Sequence, residues 1–318
     1  MALLDPEPGK LRPRATGGPA TDRVPDDRAS GTPDTLRNDL VRLLGERKVL
    51  HSVSDLVKYA SDASPYRFVP MVVVIAENVG DVAAVLRYAR DNRREIVFRA
   101  AGTSLHAQDG TLYFLYATGT SDLTGVWRLR PGGTPGRIAA LPANGLPNGL
   151  ALDRHTGLLY VADSVLGTVW RVPVAGGTPT RWAAAPELRP AGFLGANGIK
   201  VHNGAVWVSN LDKGTVLRVP LTCHGGAGPV ETRATALVDV DDFGFTGAGD
   251  SLLAAINKDN EVALVRSDGT HSIVLTAADG LENPTSLAVR GGTAYIASGA
   301  YFTNSDPNVL AVHVEHGK

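Results

Sequence analysis

Three polar side chains recur where one short strand pattern begins: Asn148 in PNGLALD, Asn197 in ANGIKV and Asp241 in DDFGF. They stand 49 and 44 residues apart, and Thr285, opening TSLAV, follows 44 further on. Spacing this regular predicts one structural position in successive copies of a unit, so the four side chains should face one another. Amide and carboxylate groups so placed have two uses. They can hold a ligand between the copies, or they can fix the turn entering each strand by bonding their own backbone. Asp241, with Asp242 beside it, is the only carboxylate of this ring and is the candidate catalytic residue.

The elements that must position these residues are short strands broken by polar and glycine turns. Pro147 to Trp182 holds three such runs (GLALD, LLYVAD, TVWRVPV) and the start of a fourth, separated by RHTG, SVLG and AGGTP. This texture predicts an antiparallel sheet with tight turns. The unit recurs: second strands read LLYVAD, AVWVSN, LLAAIN and TAYIAS, and third strands TVWRVPV, TVLRVPL, EVALVRS and NVLAVHV. A period near 44 with four strands per copy is the mark of a β-propeller, whose blades bury their faces only against neighbours. A β-sandwich would not repeat one strand order in one wording. TLYFLYATG and GVWRLRP precede the first full copy as second and third strands without an innermost one, and the last copy also has three. The reading is therefore 18 strands.

The wording of these copies, PNGLALD…LLYVADS…GTVWRV and GANGIKV…VWVSN…GTVLRV, resembles the gluconolactonase/regucalcin family and its strictosidine-synthase-like relatives, over about residues 111–315. That resemblance implies a six-bladed-type β-propeller, here incomplete at about four and a half blades, and a metal-dependent lactone or ester hydrolase or small-molecule binder. It implies a divalent metal, calcium or zinc, at the axis on Asn148, Asn197 and Asp241. The family's first-blade Glu has no counterpart, and Asn197 stands where the family has Asp. Two amides and one carboxylate are a weak set for a hard cation.

The N-terminal third has another texture. Residues 1–35 are rich in Pro, Gly, Asp and Arg without apolar periodicity, which predicts a disordered tail. Leu36, Leu40, Leu43 and Leu44 follow at helical spacing, with Asp34 as N-cap and Gly45 as stop. Met71–Asn78 reads as a buried strand, GDVAAVLRYARDNRRE as an amphipathic helix and EIVFRAAGTS as a second strand, a βαβ unit with parallel strands. In Arg99-Ala100-Ala101-Gly102-Thr103-Ser104 the small residues let backbone N–H groups approach a phosphate; the same glycine also serves a simple turn. Residues 37–105 resemble the start of the FAD-binding domain of the p-cresol-methylhydroxylase/vanillyl-alcohol-oxidase type, D-lactate dehydrogenase and glycolate oxidase branch. That resemblance implies that Arg99–Ser104 wrap an FAD pyrophosphate in a 2-hydroxy-acid oxidoreductase. The family's next lobe, which holds the flavin ring, is missing: His106, Ala107 and Gln108 lead straight into the β repeats. A phosphate loop alone makes few bonds to a large cofactor.

The expected architecture is thus mainly β with an N-terminal α/β fragment: a tail (1–35), a truncated FAD-type piece (36–108) and a partial propeller (109–318). A junction at which one family stops and the other starts inside a domain also fits a non-catalytic product of gene fusion. The net charge of −1 suggests neither a nucleic-acid nor a membrane-surface partner, and leaves a small-molecule ligand near the axis. The start, MALLDPEPGKLRPR, lacks the apolar core of a signal peptide, so the expected location is cytoplasmic. Cys223 is the single cysteine, read as a passive loop thiol. His155, His202 and His271 have no triad partner at suitable spacing, and Trp127, Trp170 and Trp207 read as packing residues.

Overall fold

Each sheet of the β region owes its form to one apolar strand that is covered on both faces. In Leu158–Asp163, Tyr160 and Ala162 pack toward one neighbouring sheet while Leu159 and Val161 pack toward the other. Alternation of side chains along a strand turns one continuous apolar run into two packing faces. Ala205–Asn210 repeats this, sending Val206 and Val208 one way and Ala205 and Trp207 the other. Leu252–Ile256 does so again with Leu252 and Ala254 against Leu253 and Ala255. The core is therefore a series of apolar layers between sheets. The structure is a computed structural model that describes residues 13–15, 24, 26–58, 69–76, 79–92, 94, 104–106, 110–130, 133–290, 292–302 and 308–314.

Among the described residues there are five four-stranded antiparallel sheets. The first comprises Ser104–His106, Leu112–Tyr116, Gly125–Leu129 and Gly136–Ala140. The second comprises Pro147–Asp153, Leu158–Asp163, Thr168–Pro173 and Thr180–Ala184. The third comprises Ala196–His202, Ala205–Asn210, Thr215–Pro220 and Glu231–Ala234. The fourth comprises Val240–Phe245, Leu252–Ile256, Glu261–Val265 and His271–Leu275. Pro284–Arg290, Thr293–Ser298 and Asn308–His313 begin the fifth, and Pro13–Ala15 completes it. Strands follow chain order in the first four sheets, and the first strand of each sheet from the first to the fourth meets that of the next sheet.

Both sheets expected to have three strands have four. Ser104–His106 pairs antiparallel with Leu112–Phe114, so the first sheet has its inner strand and the β region starts before residue 109. Pro13–Ala15, inside the segment expected to be disordered, pairs with Leu310–Val312. The physical reason is the bare edge of the fifth sheet, whose unpaired N–H and C=O groups need partners that a local hairpin does not provide.

In the α/β piece, helix Asp34–Leu44 buries Leu36 and Leu40 and stops at Gly45, whose φ of 91° suits glycine. Pro33, not Asp34, occupies its N-cap. Helix Val79–Asp91 lies beside it, with Tyr88 donating to Asp39 Oδ2 at 3.0 Å and Lys48 Nζ to Asp81 Oδ2 at 2.8 Å. The expected strand Met71–Asn78 shrinks to Val73–Val74, which pairs antiparallel with Val49–Leu50. No parallel pair is present among the described residues. Most of the second strand, Glu95–Thr103, lies outside them. Arg99, Ala100, Ala101, Gly102 and Thr103 of the expected phosphate loop fall there, while Ser104 is the first residue of a sheet strand.

Candidate functional site at the inner strand ends

Asn148, Asn197 and Asp241 each occupy the second position of an inner strand, in the second, third and fourth sheets. They form one hydrogen-bonded chain. Asn148 Nδ2 donates to Asn197 Oδ1, and Asn197 Nδ2 donates to Asp241 Oδ1 at 2.6 Å. The glycine after each Asn explains the NG wording. A Cβ on Gly149 would stand 2.2 Å from the Asn197 carbonyl oxygen, and one on Gly198 would stand 2.8 Å from that of Asp241. Only hydrogen at these positions lets neighbouring inner strands come close enough for the chain to close.

Serines from the second strands fix the chain from behind. Ser164 Oγ lies 2.9 Å from both Asn197 Oδ1 and the Ala196 carbonyl. Ser209 Oγ donates to the Asp241 carbonyl at 2.8 Å and accepts from Gly198 N at 2.7 Å. Asn197, Ser164 and Ser209 are almost wholly buried, and buried polar groups must be bonded in this way.

Thr285 does not join the ring as the spacing predicts; its hydroxyl lies 3.4 Å from the Ala297 carbonyl of its own sheet. The next residue reaches the carboxylate beside the ring instead. Ser286 Oγ donates to Asp242 Oδ2 at 3.2 Å, and Lys200 Nζ holds Asp242 Oδ1 at 2.5 Å. Lys200 was missed in the sequence, although a lysine inside an otherwise apolar inner strand (NGIKV) signals a partnered charge.

The two carboxylates have opposite environments. Asp242 is ion-paired with Lys200. Burial pushes the Asp241 carboxyl up to about 7, and the charge of Asp242 adds to this; the bond from Asn197 and the charge of Lys200 pull it back without cancelling the rise.

A divalent cation fits this donor set poorly. The Asn197 amide oxygen already accepts from Asn148 and Ser164, and Asp242 is committed to Lys200 and Ser286. Among the described residues no three His, Cys, Asp or Glu side chains gather as ligands. Asp241 is left as one carboxylate, and a hard cation requires several oxygens.

The second-strand ends act structurally. Asp163 accepts from Leu146 N at 2.9 Å and Leu166 N at 3.0 Å; Asn210 Nδ2 donates to the Glu187 and Arg189 carbonyls at 2.7 and 3.0 Å; Asn257 Nδ2 reaches the Pro284 carbonyl at 3.3 Å. Trp207 is buried, Trp127 stacks on Phe114, and His202 stacks on Phe245 with ring centroids 3.7 Å apart. Cys223 is exposed, its Sγ 3.2 Å from His224 Nδ1, a neighbour not weighed in the sequence.

Asp212 organises the loop that leads into the inner strand of the third sheet. Its Oδ2 accepts from the N–H groups of Ala191, Gly192 and Phe193 at 2.7–2.8 Å, and Oδ1 from Leu194 at 3.1 Å. Burial opposes ionisation of Asp212, yet these four bonds together hold its carboxyl below the usual range. Asp212→Ala is expected to destabilise the protein by about 1.5–3 kcal/mol, the worth of a bond to a charged group. Urea denaturation at pH 7 checks this, and the loss should shrink on acidification as the wild-type carboxylate protonates.

Sheets joined inner strand to inner strand define the class: the β region has a β-propeller fold, as the comparisons with solved structures bear out. Regucalcin, a calcium-binding protein from Agrobacterium tumefaciens, matches with a TM-score of 0.53 at 14% identity over 71% of this chain and 81% of its own. Virginiamycin B lyase from Staphylococcus aureus matches at 0.50 and 15%, over 66% of this chain and 64% of the lyase. An auxiliary nutrient binding protein from Bacteroides ovatus matches at 0.54 and 12%, over 76% of this chain and 61% of its own. The chain spans less than two thirds of the length of the last two. No protein-family model and no curated protein matches it, so neither the α/β piece nor its flavin resemblance gains support. No helix among the described residues is long and apolar enough to cross a membrane.

Proposed function

We propose that this protein binds a small molecule with a polar head at the inner strand ends, through hydrogen bonds from the Asn148–Asn197–Asp241 chain. The observation that carries this reading is that chain itself, built by three successive sheets and supported by buried serines. Simple turn-fixing would leave each side chain on its own backbone, whereas these cross from sheet to sheet. Among the similar structures, one is named for nutrient binding and one for a lyase of virginiamycin B, which agrees with ligand handling at such a fold.

A second reading follows from the proton affinity of Asp241. A carboxyl with a pKa of about 7 is suited to take a proton from water attacking a lactone or ester carbonyl and to return it to the leaving oxygen. Titration of aldonolactones and simple γ-lactones into the protein, with calorimetry for binding and a pH-stat for turnover, tests both readings. Binding that survives EDTA and weakens in Asn148→Ala supports the first. Turnover that falls by about two to four orders of magnitude in Asp241→Asn supports the second. Absence of both, or recovery only with added calcium or zinc, overturns the metal-free site.

The flavin reading has a separate check. With Ser104 in a sheet strand and no flavin lobe in the sequence, the purified protein is expected to be colourless and to take up no added FAD. A flavin absorbance band that survives gel filtration would reinstate an oxidoreductase.

A further inference from the structure

In an antiparallel sheet whose strands follow chain order, the first strand starts at the end where the second strand finishes. Loops between second and third strands therefore emerge at the same end as loops that enter the next inner strand. That end carries Asn148, Asn197 and Asp241. It also carries most of the exposed apolar surface. Of the seven large apolar side chains exposed among the described residues, five lie in these loops: Val165, Phe193, Val238, Tyr301 and Phe302. The other two, Leu43 and Ile75, belong to the α/β piece, so the opposite ends of the sheets carry none of the seven.

Phe193 is 73% exposed, and Tyr301 and Phe302 are 68% exposed each. Exposed apolar groups that share one end of a fold are available to an apolar ligand there. Phe193 is also presented rather than loose, since its backbone N–H is one of the four held by Asp212. Similarly, Phe302 N donates to Asn283 Oδ1 at 3.0 Å, and Asn283 is buried.

We infer that the ligand of this site is amphipathic, with a hydrogen-bonding head at Asn148 and Asp241 and an apolar body on the rim formed by Phe193, Val238, Tyr301 and Phe302. The inference rests on the ligand-binding reading above and adds the substrate class. Polar groups and exposed apolar loops at the same end of the sheets suit a small molecule with one polar end and one apolar end.

The test uses the intact chain and a series of γ-lactones with one head and growing alkyl tails: γ-butyrolactone, γ-octalactone and γ-dodecalactone. Isothermal titration calorimetry should show affinity rising roughly three- to fourfold per buried methylene until the rim is covered. In Phe193→Ser combined with Phe302→Ser that rise should fall to less than half, because both side chains are exposed and their loss leaves the core intact. Asn148→Ala should weaken every member by a common factor. Equal affinity along the series, with the Asn148→Ala effect retained, sinks the amphipathic class and leaves the polar site standing. Tail-dependent affinity indifferent to Asn148 sinks both, and no binding by any member sinks the underlying reading. Concentration-dependent dimerisation abolished by Phe193→Ser, without tail dependence, assigns the rim to a second copy of the chain and overturns the inference.

Discussion

Asp241→Asn is expected to stabilise the protein at pH 8 by about 2–4 kcal/mol while changing little near pH 4. The unfolded chain releases the Asp241 proton near the ordinary value of 3.8, whereas the folded protein holds it to about 7. Between those values the native state binds the extra proton, so stability declines as pH rises through that window, and the loss is complete above pH 7. A shift of about three units corresponds to about 4 kcal/mol as an upper bound. Asparagine keeps the shape and a side-chain oxygen for the Asn197 amide, and it carries no charge at any pH. Urea midpoints of both proteins at pH 4.5, 6, 7 and 8 isolate the effect, because all other groups titrate in both. Parallel curves for the two proteins would refute it.

The other large effect belongs to a residue without a side chain. Gly149→Ala would place its methyl carbon 2.2 Å from the Asn197 carbonyl oxygen and 2.9 Å from Ile199 Cγ2. The first of these is backbone of the neighbouring sheet and cannot rotate away. Inner strands of the second and third sheets would have to separate, stretching the Asn148–Asn197 bond and opening the apolar layer behind it. A cost of about 3 kcal/mol or more is expected, at the upper end of overpacking effects. Gly136→Ala is the control: nothing lies within 4 Å of its added carbon, and its exposed edge position should tolerate the change. If Gly149→Ala melts within about 0.5 kcal/mol of the parent, the close approach of these strands is not real.

Much of this architecture is legible in the sequence because its strands are local and repetitive. LLYVAD, AVWVSN and LLAAIN announce central strands through unbroken apolar runs, and the NG pairs announce the inner strand ends. Asn148, Asn197 and Asp241 emerge from spacing alone, since equal positions in successive units meet at one place. What escapes is non-local. Pro13–Ala15 has neither alternation nor β-branched residues and is a strand only because an edge almost 300 residues away accepts it. Ser104–His106 was hidden by the small residues before it (Ala100, Ala101, Gly102 and Thr103), which read equally well as a phosphate loop. Lys200 and Ser286 acquire meaning from a carboxylate in a sheet between them, a relation that no single window displays. Thr285 failed although its strand carries the same register irregularity at its start as the strands of Asn148, Asn197 and Asp241; its shorter side chain bonds a carbonyl of its own sheet instead of crossing to the next.

The side chains at the second-strand ends bear on how damage would spread through the molecule. Asn210 ties its sheet to the loop arriving from the second sheet, and Asn257 ties the fourth sheet to the first strand of the fifth. Couplings of this kind reach one neighbour and stop. A row of units joined in that manner behaves as a one-dimensional array, in which each unit's free energy depends on itself and the units beside it. Hydrogen exchange should then be graded along the row, slowest in the third sheet, which lies farthest from both ends. A lesion such as Asn210→Ala should raise exchange in the second and third sheets well before the fifth responds.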